Sequence, residues 1–137
     1  MPESCLEFRG RHAFVDDYAL YAAMVFIRAQ GARVLGELDD KDVVLLRLLD
    51  EWIKEIGEAP PGCVAIPLDQ EMFEGIVQSF VALIERAERT ASSFQEWIPG
   101  EMLNTFVHDP KFAFRQHKAS TATATLEKLR NLIVGTQ

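Results

Sequence analysis

The sequence predicts an all-α fold, an antiparallel bundle of four main helices with a short extra helix, from three observations. Between Val44 and Ile56 the residues Val44, Leu45, Leu48, Leu49, Trp52, Ile53 and Ile56 share one helical face, and charged residues hold the other. Phe73, Val77, Phe80, Ile84, Ala87, Ala91, Phe94 and Ile98 recur at alternating spacings of four and three, a heptad seam. Finally, no pair of apolar runs is joined by recognisable hairpin chemistry, so no sheet larger than a two-stranded contact is expected.

Taken in order, residues 1–12 read as an irregular N-terminal arm, with Pro2 and Gly10 in it. Asp16 or Asp17 caps a first helix that runs to Leu35 and stops at Gly36. Its stretch Tyr18–Ile27 is apolar all round, as expected of a helix enclosed by others. The link Glu37–Asp39 is so short that the second helix, Asp40–Ile56, must lie antiparallel to the first, with Gly57 following it. Residues 58–68 contain three prolines and a glycine, which forbid a helix. Val64, Ile66 and Leu68 alternate there, as in an extended strap.

The third helix opens at Asp69, with Leu68 and Phe73 as a hydrophobic staple. It follows the heptad seam to Ile98 and ends at Pro99-Gly100, with Thr90–Ser93 as a weak patch where it can bend. A short helix is expected over Glu101–Val107. Asp109-Pro110 reads as a cap followed by a first-turn proline, opening a last helix from Lys111 to Val134 with Gly135 as its stop. That helix misses a beat at Arg115 or Gln116, and residues 120–125 are poor helix formers, so a break with recapping at Ser120 or Thr121 stays open. Ala87 and Ala91 match Ala119 and Ala122 in size, which suits close approach of the third and last helices. The whole chain, 1–137, reads as one helical domain.

Composition narrows the function classes. Apolar residues make up 48% and charged residues 26%, a globular balance that can support a core without disulfides or metal. The formal net charge is −7, which disfavours nucleic acid and anionic membranes as partners. The charge is uneven: net −1 over residues 1–38, −8 over 39–100 and +2 over 101–137. Complementarity inside the fold is the simplest use of that asymmetry. Cys5 and Cys63 lack metal or redox spacing and read as free thiols. The most apolar stretch is ten residues, half of a membrane span, and two aspartates precede it where a signal peptide has bases. A cytoplasmic protein is expected.

No catalytic residue, cofactor or metal site is expected. A di-metal bundle needs inward carboxylates with Glu-x-x-His pairs, and the chain has none. Zinc needs about four Cys or His ligands, and of His12, His108 and His117 only the last two can meet, at a corner marked by Pro110. No nucleophile elbow or glycine-rich phosphate loop occurs.

Three candidate sites remain. On a helix starting at Pro110, Lys111, Arg115 and Lys118 share a face with His108 just ahead, a contact for an anion or an acidic partner. On the third helix, Ile76, Leu83 and Trp97 widen the apolar arc beyond the seam, and Phe114 lies off the last helix's seam. This surplus points to a protein-interaction or regulatory role, with a homodimer as the expected form. The other reading is a small-molecule binder or enzyme whose pocket is lined by Tyr18, Tyr21, Trp52, Trp97 and the histidines.

Overall fold

The first described residues form a β-hairpin. In the computed structural model, which describes residues 3–34, 40–59, 65–70, 72 and 74–135, β1 (Glu3–Phe8) and β2 (Arg11–Asp16) pair antiparallel, Glu3 opposite Asp16 and Phe8 opposite Arg11. The two-residue turn Arg9-Gly10 has positive φ at both positions, 49° and 82°. That backbone hand matches the twist of the flanking strands. Ser4, Leu6 and Phe8 are buried while Glu3 and Glu7 are exposed, so β1 has an inner and an outer face. The irregular arm expected over residues 1–12 is thus corrected. Arginine is an unusual first residue for such a turn, where Asn or Asp is common, and it disguised the hairpin.

β3 (Ala65–Pro67) pairs in parallel with the other edge of β1, giving a three-stranded sheet in the order β2-β1-β3. Ile66 and Leu68 are buried, and Pro67 is tolerated because this strand is an edge. Within the strap expected over residues 58–68, Ala65–Pro67 is therefore a strand.

Four α-helices follow the expected order. α1 (Asp17–Arg33) is capped by Asp16, whose carboxylate accepts the Ala19 N–H at 3.0 Å. Leu20 to Ile27 are all buried, so α1 is the central element. α2 (Asp40–Glu58), α3 (Glu74–Ser92) and α4 (Ala119–Val134) pack around it. α3 and α4 form the most extensive helix pair, with Ala87, Ala91, Ala119 and Ala122 all buried. An Arg130–Glu88 ion pair at 2.6 Å joins the same two helices and raises the arginine's already high pKa. This is one place where the basic C-terminal third meets the acidic middle.

Several boundaries are corrected. α3 begins at Glu74, and Asp69 instead accepts the Arg9 N–H at 3.0 Å. It ends at Ser92, six residues short of Ile98. Thr90 and Ser93 hydroxyls bond to the carbonyls of Arg86 and Thr90, competing with the helix ladder where the weak patch was noted. Trp97–Pro99 then forms β4, paired antiparallel with β5 (Gln116–Lys118). Three 3-10 turns, Gly100–Met102, Asn104–Phe106 and Pro110–Phe112, replace the short helix and the first part of the last one. Asp109 caps its turn through the Lys111 N–H as expected, but the turn does not propagate. Asn104 holds the next residues extended: its side chain bonds both the N–H and the carbonyl of Phe114, each at 2.7 Å. The helix starts only at Ala119, whose N–H donates to the Glu96 carbonyl at 2.8 Å. Lys118, not Ser120 or Thr121, holds the cap position.

The all-α bundle is corrected accordingly. The described residues are 66% helical but also form five strands in two sheets, a mixed α and β fold with a sheet larger than a strand pair. Three-residue strands are too short to show a period, and β3 pairs with a strand remote in sequence. Among the described residues no helix is long and apolar enough to cross a membrane. The expected stop at Gly36, the link Glu37–Asp39, the staple residue Phe73 and Cys63 lie outside the described residues.

Candidate functional site

The side chains expected at a protein interface are mostly inside the fold. Ile76 is 0% exposed, Leu83 8% and Phe114 5%, while Trp97, on β4, is 43% exposed. α1, α2 and α4 all pack on α3, so the wide apolar arc is covered within the chain. The surface surplus that pointed to a homodimer reduces to Trp97.

The four residues of the expected anion contact also lose their shared scaffold. His108 precedes the 3-10 turn that holds Lys111, Arg115 follows it, and Lys118 ends β5. No helix aligns them, because none begins at Pro110. Lys111 instead leans back to Asp109 at 3.8 Å, and His108 turns inward to Tyr21.

What the fold assembles is an aromatic cleft. Tyr18 and Tyr21 stand three residues apart on the first turns of α1 and therefore share a face. The segment 108–114 crosses that face and supplies His108, Phe112 and Phe114. Ring centroids lie 5.1 Å apart for Tyr18–Phe114, 5.9 Å for Tyr21–Phe114, 5.9 Å for Tyr21–Phe112 and 5.0 Å for His108–Phe112. These separations are those of favourable aromatic pairs. The third wall is the end of α2, with Ile56 and Gly57, followed by Ala59. Gly57 lets His108 come close: a Cβ on it would sit 1.9 Å from His108 Cε1, so the ring would have to move. The cleft encloses about 420 Å³, and Asp16, Asp17 and Lys111 stand among its lining residues.

Tyr21 is the hub. Its hydroxyl accepts the His108 backbone N–H at 3.2 Å and lies 2.7 Å from His108 Nδ1. With the hydroxyl donating to Nδ1, the ring proton sits on Nε2. Burial raises the Tyr21 pKa, His108's backbone bond opposes this, and Asp109 adds to the rise. The phenol therefore stays protonated at neutral pH and serves as a hydrogen-bonding anchor rather than a base. Among the described residues no three His, Cys, Asp or Glu side chains converge as a metal site needs. A larger, more open groove of about 650 Å³ lies between the hairpin and α4. Its cations are engaged with backbone: Arg11 donates to the Leu132 and Ile133 carbonyls, and Lys128 to the Phe14 carbonyl. The aromatic cleft is the better-built site.

Behind the cleft, His117 on β5 packs against Tyr18 and Phe114 and is 5% exposed, with Nε2 lacking a partner among the described residues. Burial lowers its pKa below 6.5, with Asp16 pulling weakly the other way. The folded chain then resists a proton that the unfolded chain accepts. Stability is full above pH 6.5 and falls as pH drops from 6.5 toward the folded-state pKa. The melting temperature of His117→Phe should depend less on pH in that window than the unaltered protein's. Parallel melting curves from pH 7 to pH 5 would refute the assignment.

Of the side chains expected to line a pocket, Tyr18, Tyr21 and His108 meet here, whereas Trp52 packs on Phe80 and Trp97 stands exposed on β4. Phe112 and Phe114 are walls as well, on an extended segment in place of the expected helix. The alternation Phe112-Ala113-Phe114 after Pro110, ahead of the missed beat at Arg115, was the available signal. No family model, curated protein or solved structure matches this chain.

Proposed function

We propose that this chain is a cytoplasmic small-molecule-binding protein whose ligand occupies the aromatic cleft between α1, the end of α2 and residues 108–114. One observation carries the reading. Tyr18 is 55% exposed and Phe112 36% exposed, yet both flank the buried rings of Tyr21 and Phe114 in a single concave wall. Aromatic faces left open to water in a concavity of this size are what a ligand covers. The volume is within the usual range for such sites, and the polar groups are few.

The test is a titration of labelled protein with a panel of small ring compounds, followed by amide NMR. Shifts should cluster at residues 17–21, 56–59 and 108–114. Phe112→Ala should weaken a hit by about tenfold with little change in melting temperature, because that ring is half outside the core. Self-association remains the other reading, and it rests on the exposed Trp97. Shifts centred on Trp97 that depend on protein concentration alone, with the cleft silent, would favour it and sink the cleft.

A further inference from the structure

We infer that the cleft's ligand is an organic cation, an ammonium group carried on an apolar or aromatic body; this rests on the cleft being a ligand site. Two features of the walls set the sign of charge. Asp16 and Asp17 bring two carboxylates to one end of the aromatic wall, against a single lysine in the lining and the positive end of α1 that Asp16 caps. At the opposite wall α2 ends, presenting the negative pole of its dipole, and its last turn holds no basic residue. The exposed rings of Tyr18 and Phe112 add the π-systems of two aromatics, which attract cations and especially poorly hydrated ones.

The chain also carries its own small-scale version of this complex. The Lys111 ammonium lies 5.3 Å from the Phe112 ring centroid and 3.8 Å from Asp109. That is an ammonium over an aromatic face with a carboxylate nearby, at the mouth of the cleft. The Lys111 side chain is 72% exposed, so it can swing away. Lys111 is therefore a weak internal competitor for the position that an external cation takes. An anionic ligand in this cleft would meet the carboxylates and the helix end with the same sign.

The experiment compares benzyltrimethylammonium, benzyl alcohol and benzoate by amide NMR titration on the full chain. The ammonium should bind about tenfold or more tightly than the other two, with shifts at residues 16–21 and 112–114. Asp16→Asn should weaken it about threefold or more while keeping the helix cap, because asparagine caps as well as aspartate. Lys111→Gln should tighten it by about twofold to threefold. Benzyl alcohol binding as tightly as the ammonium, with no effect of Asp16→Asn, would overturn the cation assignment and leave a neutral-ligand cleft standing. Preference for benzoate would overturn it in favour of an anion. If none of the three moves the cleft amides, the cation assignment and the cleft reading fall together.

Discussion

Gly100→Ala is expected to destabilise the fold by about 3 kcal/mol, the upper part of the usual overpacking range. A Cβ at this position would lie 2.0 Å from the Phe114 carbonyl oxygen, 2.8 Å from that of Arg115 and 3.0 Å from the Phe114 carbonyl carbon. All three are backbone atoms, so no rotamer change relieves the clash. The strand segment cannot retreat cheaply either. Gly100 donates its N–H to the Arg115 carbonyl at 3.0 Å, and Asn104 grips Phe114 at both its N–H and its carbonyl. Phe114 is also the ring that joins Tyr18 to Tyr21, so the cleft should distort with the fold. Gly57→Ala is the informative contrast. Its Cβ would meet His108, a side chain that can rotate away, so the stability loss should be smaller while the His108 signals move strongly. Urea unfolding of both variants checks the ranking. A Gly100→Ala protein as stable as the parent would mean that β4 and β5 do not approach as described.

Tyr21→Ala should cost about 3–5 kcal/mol, the usual loss when a large buried ring is cut to a methyl group. Tyr21 is 6% exposed and its ring contacts His108, Phe112 and Phe114. The 108–114 segment has no helix of its own to hold it in place beyond a single 3-10 turn, so it depends on this anchor. Tyr21→Phe separates packing from hydrogen bonding. It keeps the ring but deprives the His108 N–H and Nδ1 of their shared partner. In a half-buried setting that costs about 1 kcal/mol. The His108 imidazole resonances should report the change directly. If Tyr21→Phe left those resonances and the cleft's ligand affinity unaltered, Tyr21 would be packing only.

The helices were largely legible from local pattern. α2 announces itself through a one-sided apolar face, and α1 through an aspartate cap ahead of an all-apolar run, because a helix writes its neighbours at a fixed spacing of three and four. The same reasoning overran at both ends of the seam-bearing segments. Phe94 and Ile98 continue the heptad beyond Ser92, yet Ile98 is buried from a strand rather than from a helix. A residue spaced to suit a helical core can meet the same core from another backbone, and the spacing alone does not tell the two apart. Lys111 to Lys118 failed for a related reason: the decision against helix there is made by Asn104, ten residues before the Phe114 it binds.

Of the candidate site, the sequence determined the parts: two tyrosines at helical spacing, a histidine, two phenylalanines flanking an alanine, and an acidic balance set against nucleic acid. It also determined the cap at Asp16 and the central place of α1, since both follow from residues within one turn of each other. Only the tertiary structure decided that Ile76, Leu83 and Phe114 are covered within the chain, and that Tyr21 meets His108 across 87 positions. Local periodicity reports which face of an element is apolar. It carries no record of what the face meets. That depends on close approaches between remote backbones, here at Gly57 and Gly100, where the absence of a Cβ lets a ring and a strand come in and close the wall of the cleft.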